Sequence, residues 1–466
     1  MKIRNSFFLA ILAVFTLLAC NNDDFDLSPD NGEQGYLVLT LETPSNLRTE
    51  AGLNTRDDSG TDKENEIKSL RVVLTNNSGK VSFVSNPKVT NGVTEEFKVP
   101  FGKHYVYAII NSPIEITEGE DLQRVITVAA EADAISGYKG GSFLMINQRN
   151  NDSEAGIQTE IDANNTAANP AKATIFVDRV ACKITDKTAG VTVNLSGTTN
   201  GFIDEVDVEG FVILNVNKQF NLLQKWSTVN PGGETLVTNV FETPTPSSNI
   251  LANQYYFNIG QYTKLTKEDG IITEITDLTL GKTDLFGKGP VYTTENRPII
   301  TLFGENLTAG RGEATGVIYK VQAKKGGNNI GTFYKYKSVL YNDFANIQAL
   351  PEFEGTTLPS SDNGKLRAMG INVYENGIMY YTYFVRDKNA AHQYKGENYY
   401  GVFRNSSYKL TINMISALGD DVPGGGSVDP DEPGEPGNPP IDTDEAYLHV
   451  SVTVNPWVLN TIELQF

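Results

Sequence analysis

The chain has 466 residues, enough for two or three domains with full hydrophobic cores. Its formal charge of −19 excludes a nucleic-acid partner, whose phosphates need a basic face, and disfavours anionic lipid head groups. The three histidines, His104, His392 and His449, are far apart. There is no paired-cysteine or His-x-x-x-His motif, so no metal site, cofactor or enzymatic activity is expected.

Lys2 and Arg4 precede a twelve-residue apolar run, Phe7–Leu18, which is too short to span a bilayer as a mature helix. The run closes in Leu17-Leu18-Ala19-Cys20. Small residues before a cysteine form the lipobox of bacterial lipoproteins, so residues 1–19 are read as a signal peptide and Cys20 as the lipid-bearing thiol. With Cys20 lipidated, Cys182 has no partner for an intramolecular disulfide, and stability rests on apolar cores. Asp24, Asp26 and Ser28 have the spacing of a calcium loop. Pro29 and Gly35 stand where that loop needs Gly and Glu, so calcium is rejected.

The first strand signal is Tyr36–Leu41, with Leu37, Leu39 and Leu41 on one face. Behind it lies a polar stretch, Thr43–Gly60, holding two arginines, Arg48 and Arg56. Exposed polar loops are where proteolytic nicking concentrates. A cut at Arg48 separates the body from the lipid and from Tyr36–Leu41 together.

The middle of the chain is read as β throughout. Ile67–Leu74, Tyr105–Ile110, Ala173–Ile184, Gly210–Val216, Gln254–Ile259, Pro298–Phe303, Val317–Ala323, Ile378–Val385 and Tyr408–Ile415 are short runs rich in β-branched and aromatic residues. Clusters of Gly, Asn, Asp, Ser or Pro bound each run. Only Glu115–Ser136 and Asn342–Leu350 are read as helical, which leaves too few crossovers for a parallel sheet and favours antiparallel sandwiches. A boundary near residue 190 gives bodies at 49–190 and 191–419, after a tether and first strand at 20–48.

Asp420–Ile441 is a 22-residue run of Pro, Gly and acid within a linker at 420–446. Pro-rich chain extends by ~3.1 Å per residue, a reach of roughly 65–70 Å. The terminal segment 447–466 follows, with Leu448, Val450, Val452 and Val454 on one face and Trp457 beyond. A strand cannot be stable alone, and one on so long a tether suggests a sheet in another molecule. It also repeats the first strand: YLVLTL at Tyr36, YLHVSV at Tyr447.

These features resemble the major shaft subunits (fimbrillins) of the type V fimbriae of Bacteroidetes, most closely that of the short, or minor, fimbria. The resemblance is carried by DEPGEPGNPPIDTDEAYLHVSVTVNPWVLNTIEL with its Pro456-Trp457 pair, by Val402–Leu418 (R-N-x-x-Y), by Gly102–Asn111 and by the lipobox. At the cut site the family arginine is usually followed by a small residue. Here Thr49-Glu50 follow Arg48, so Arg48 and Arg56 remain in competition.

The resemblance implies an all-β fold of two tandem transthyretin-like sandwiches. It implies export as a lipoprotein to the outer membrane and cleavage by an Arg-specific surface protease that removes the strand bearing Leu37, Leu39 and Leu41. Polymerisation with identical subunits follows, in which Leu448, Val450, Val452, Val454 and Trp457 of one subunit fill the vacated groove of the next. Accessory anchor and tip subunits are expected partners, and the product is an extracellular fimbrium supporting adhesion. A donor strand and a cleavable arginine favour shaft over tip or anchor. The alternative is a glycan-binding outer-membrane lipoprotein. It draws on the 21 tyrosines but offers only Trp226 and Trp457 as flat platforms and gives the tethered strand no purpose.

Overall fold

The structure is a computed structural model. It describes residues 32–42, most of 60–229, 235–242, short stretches between 254 and 277, most of 286–387, 399–423 and 448–456. Cys20, Arg48, Arg56 and Trp457 lie outside the described residues.

The fold is all-β. The first body contains β1 (Gln34–Glu42), β2 (Leu70–Thr75), β3 (Val81–Ser85), β4 (Val93–Thr94), β5 (Phe97–Pro100), β6 (Gly102–Ile110), β7 (Met145–Asn147), β8 (Ile157–Ile161) and β9 (Ala171–Arg179). Their hydrogen-bonded order is β3-β2-β6-β7-β9-β1-β4, with β8 on β6 and β5 on β1. Alternation puts Leu37, Leu39 and Leu41 of β1 together with Leu70, Val72, Leu74, Val106, Ile110, Ile175 and Val177 in one core.

The second body adds β10 (Ala181–Asp186), β11 (Glu205–Leu214), β12 (Val291–Thr294), β13 (Gly316–Lys325), β14 (Ile378–Phe384), β15 (Ser406–Ile415) and β16 (Leu448–Pro456). One sheet runs β12-β10-β15-β16, and β13 of the other lies between β11 and β14. Cys182, Ile184, Leu410 and Ile412 of the first sheet pack in one cluster with Val206, Phe211, Val317, Tyr319 and Tyr381 of the second. Two short helices, α1 (Phe344–Gln348) and α2 (Asn363–Ala368), cover a satellite core containing Ile347, Leu366 and Ile371.

Two sequence readings change. The apolar run Ala173–Ile184 is two strands, β9 and β10, in different sheets, with the change of sheet at Val180. No Gly or Pro marks the crossing; the charged pair Asp178-Arg179 stands there, buried, and Val180 itself is fully buried. Glu115–Ser136 is not one helix: Ala129–Glu131 is a strand paired with Gln219–Asn221. There a tertiary pairing overrides the helix preference of an alanine- and glutamate-rich segment.

Candidate assembly interface

Strand β1 is held on both sides. It runs parallel to β9, with Leu37 opposite Ala171, Leu39 opposite Ala173 and Leu41 opposite Ile175. On its other edge it is antiparallel to β5 at Gln34–Leu37 and to β4 at Thr40. Where the ladder breaks between β5 and β4, the Leu39 N–H donates instead to Thr94 Oγ1 at 2.9 Å. The Leu41 N–H reaches the Gly92 carbonyl, and the Tyr36 N–H the Asn165 carbonyl, both at 2.8 Å. Leu37, Leu39 and Leu41 are completely buried. Each such leucine stabilises the body by roughly 1.5–3 kcal/mol.

The chain that follows the arginine-bearing loop is clipped into the junction between the bodies. The Glu64 carboxylate takes the Lys183 ammonium at 3.0 Å, the Tyr292 hydroxyl at 2.5 Å and the Thr61 N–H at 2.5 Å. Its carbonyl accepts from Arg179 Nε at 3.2 Å, and Asn65 Oδ1 accepts from Arg179 Nη2 at 2.5 Å. Burial pushes the Glu64 carboxyl up, but the bonds from Tyr292, Thr61 and Lys183 outweigh it and hold the group below its ordinary range.

The same junction absorbs the Arg404-Asn405-x-x-Tyr408 motif. Asn405 Nδ2 donates to Asp178 Oδ1 at 3.0 Å, and Asn405 Oδ1 accepts from Arg179 Nη1 at 3.2 Å. Arg404 is buried against Glu295, with Nε 2.9 Å from Oε2, and also donates to the Leu222 and Asn221 carbonyls at 2.7 and 2.6 Å. The Tyr408 hydroxyl donates to Asp387 Oδ2 at 2.9 Å and accepts from the Phe403 N–H at 2.8 Å. Sequence reasoning used this motif only as a mark of resemblance. Its polar residues directly before an apolar strand were the available signal that they carry contacts, because buried charges need partners.

Strand β16 lies antiparallel to β15 of its own chain, Leu448 opposite Ile415, Val450 opposite Ile412, Val452 opposite Leu410 and Val454 opposite Tyr408. The sequence reading sent this strand to another molecule, whereas within the single chain it has a seat. The long linker permits both. Among the described residues the seat is an edge: β16 ends its sheet, with β15 as its one hydrogen-bonded strand neighbour there, whereas β1 is bonded along both edges. The structure therefore does not bring the two alternating strands together; it seats them in different sheets.

The root of the linker is fixed. Asp420 exchanges backbone bonds with Tyr380 at 2.8 and 2.9 Å. Asp421 accepts from the Val373 N–H at 2.9 Å and Asn372 Nδ2 at 3.0 Å, and pairs with Arg367 at 2.5 Å. Cys182 is a buried strand residue whose thiol donates to the Phe403 carbonyl at 2.7 Å. His104 is buried in β6, and that burial holds its imidazole below the ordinary value. Among the described residues no cluster of His, Cys, Asp and Glu is placed to hold a metal ion.

Residues 372–463, which include β14, β15, the linker and β16, match the family described as major fimbrial subunit protein type IV, fimbrillin, C-terminal. This segment is thus similar to the fimbrillin C-terminal region, in agreement with the resemblance read from the sequence. No curated protein matches the chain. Among solved structures, a cell adhesion candidate from Parabacteroides distasonis aligns at 14% identity and a TM-score of 0.47, over 91% of this chain and 100% of its own. A fimbrilin from Porphyromonas gingivalis aligns at 14% identity and 0.43, over 92% and 99%. A tip fimbrial protein from the same organism, with a C-terminal truncation, aligns at 12% and 0.35, over 91% and 100%. Likenesses this distant carry no functional statement.

Proposed function

We propose that this protein is the shaft subunit of a cell-surface fimbria. In this reading it is exported as a lipoprotein on Cys20 and cut after Arg48 or Arg56 by an Arg-specific surface protease. It then polymerises when its C-terminal strand enters the seat vacated by β1 of the next subunit. The observation that carries the reading is an asymmetry. The strand just upstream of the two arginines is bonded along both edges with its leucine face fully buried, while the strand at the end of the tether is, among the described residues, an edge.

Before cleavage, β1 fills the groove and no other strand can enter. After cleavage, the Glu64 clip keeps the remaining chain in place, and β1 is held by noncovalent contacts alone. Its departure leaves β9 and β5 with unpaired backbone groups along an apolar slot, a ready template for another strand. An incoming β16 gives up one ladder on β15 and gains two, with net contributions of about 0.5–1.5 kcal/mol per hydrogen bond. Its valines enter leucine-lined space at roughly 1.5–3 kcal/mol each, less the entropy of ordering the tether. Backbone pairing supplies affinity and alternate side chains supply register. Because donor and acceptor surfaces differ, the contact is head-to-tail and propagates as a filament of identical subunits. Accessory anchor and tip subunits complete the assembly, which supports adhesion. The two bodies are read as transthyretin-like sandwiches.

The test is deletion of Ala446–Phe466. An edge strand is removable without splitting a sheet, so the expected product is a folded, secreted and cleaved monomer that makes no fibres. Fibres from the deleted chain refute the exchange.

A further inference from the structure

Position 35 of β1 is a glycine for a steric reason. It is buried in the same alternation as Leu37, Leu39 and Leu41. A Cβ placed there falls 2.6 Å from Ile161 Cγ2, 3.1 Å from the Asp162 carbonyl oxygen and 3.2 Å from the Asn165 carbonyl oxygen. The turn carrying the two oxygens is tied to itself. The Asn165 N–H donates to the Asp162 carbonyl at 3.0 Å, the Asp162 N–H to Asn165 Oδ1 at 2.8 Å and the Asn164 N–H to Asp162 Oδ1 at 2.8 Å. The Asn165 oxygen also receives the Tyr36 N–H. These bonds limit the oxygens to shifts of a few tenths of an ångström, which is what a single carbon at 3.1–3.2 Å demands. The Ile161 Cγ2 methyl must move as well, so alanine enters at a cost that every larger side chain exceeds. The cradle therefore takes glycine or, with that displacement, alanine, and rejects anything with γ atoms.

This constrains any strand that replaces β1, and it acts where the apolar face alone is ambiguous. In a parallel replacement, a slip of one residue turns the apolar face outward, so only even slips compete. Two of them fill all three leucine seats. In one, Leu448, Val450 and Val452 take the places of Leu37, Leu39 and Leu41. In the other, Val450, Val452 and Val454 do so. The second drives Leu448 into the glycine cradle. The first sets Ala446 there, with Glu445-Ala446-Tyr447-Leu448 on Gln34-Gly35-Tyr36-Leu37. A third register, with Ala446, Leu448 and Val450 in the leucine seats, underfills one seat and buries the Asp444 carboxylate against two carbonyl oxygens.

Resting on the strand-exchange reading above, we propose that the Gly35 cradle is a register gate and Ala446 the residue that passes it. The C-terminal strand of one subunit lies parallel to β9 of the next, with Ala446 in the place of Gly35. Tyr447 then takes the place of Tyr36, whose ring centroid lies 6.0 Å from the Lys98 ammonium. The outward positions of Val38, Thr40 and Glu42 pass to His449, Ser451 and Thr453.

The experiment uses full-length chains. Val93, which lies opposite Thr40 and is 40% exposed, becomes Cys in two chains. One carries Ser451→Cys and the other Thr453→Cys. The proposed register gives an intersubunit disulfide through Ser451→Cys; a disulfide through Thr453→Cys, or through neither in fibres that form, overturns it. In parallel, Ala446→Gly is expected to polymerise like the native chain. Ala446→Leu, overpacking a site walled by backbone, is expected to lower fibre yield roughly ten- to a hundredfold, with secretion, cleavage and near-UV circular dichroism of the monomer unchanged. Native yield from Ala446→Leu also overturns the gate, since in the slipped register residue 446 lies short of the cradle. Fibres formed without residues 446–466 refute the exchange itself, a result separate from either failure of register.

Discussion

Truncating Leu39 to alanine has opposite consequences before and after maturation. Leu39 lies at the middle of β1, completely buried, opposite Ala173 of β9 and with its N–H on Thr94. Its neighbours belong to strands locked by ladders on both sides, so the space left by the side chain does not collapse. Leu→Ala substitutions in such sites cost about 2–5 kcal/mol, and the upper half of that range applies here. With a urea slope of about 3 kcal/mol/M, the large-protein end of the usual range, the first transition of the uncleaved precursor moves down by roughly 1–2 M. The measurement is urea unfolding of a non-lipidated precursor followed by circular dichroism. In the proposed exchange β1 leaves after cleavage, and Leu39 leaves with it. Fibres grown from Leu39→Ala subunits should resist urea like native fibres and form faster, because the strand to be expelled is held less tightly. Val450→Ala behaves in reverse, weakening fibres. An unchanged precursor midpoint, or fibres weakened by Leu39→Ala, would show that β1 is not a removable plug.

Cys20→Ser is expected to abolish palmitate labelling and surface delivery; unchanged labelling rules out Cys20 as the lipid site. Terminal sequencing of mature fibres should find Thr49 or Asp57, and the Arg48→Ala, Arg56→Ala double variant should accumulate uncut and unpolymerised. Polymer whose subunits still begin at Cys20 contradicts that order of events. Glu64→Gln leaves the buried Lys183 without its counter-charge and should cost about 3–5 kcal/mol at neutral pH. Because the folded-state pKa of Glu64 lies below its ordinary value of 4.5, its stabilisation is full above that value and is lost as pH falls through the folded pKa. The gap between native and Glu64→Gln proteins should therefore close in acid; a gap constant with pH removes the carboxylate from the account.

What the sequence determined by itself was everything written in local periodicity. Alternation along Tyr36–Leu41 and Tyr447–Asn455 specified two half-buried strands, and both are strands in the structure. Short β-branched runs between turn residues specified an all-β chain, because a pleated strand sorts its side chains with a period of two wherever it lies. The Leu-Leu-Ala-Cys segment, the two arginines and the Pro-rich run are likewise covalent patterns, legible without a fold. Tertiary structure decided the partners. That β1 is central and β16 an edge depends on what lies across each ladder, and an alternating sequence looks the same in both positions. The run Ala173–Ile184 hid a change of sheet because no Gly or Pro marks it. Glu64, Arg179 and Asn405 meet across separations in the chain of up to 226 residues, too far for any local pattern to signal. In the sequence Gly35 entered only as a departure from a calcium loop; the structure places the carbonyls of Asp162 and Asn165 close to where its side chain would have been. Steric exclusion is a property of what surrounds a residue, and only the folded chain supplies the surroundings.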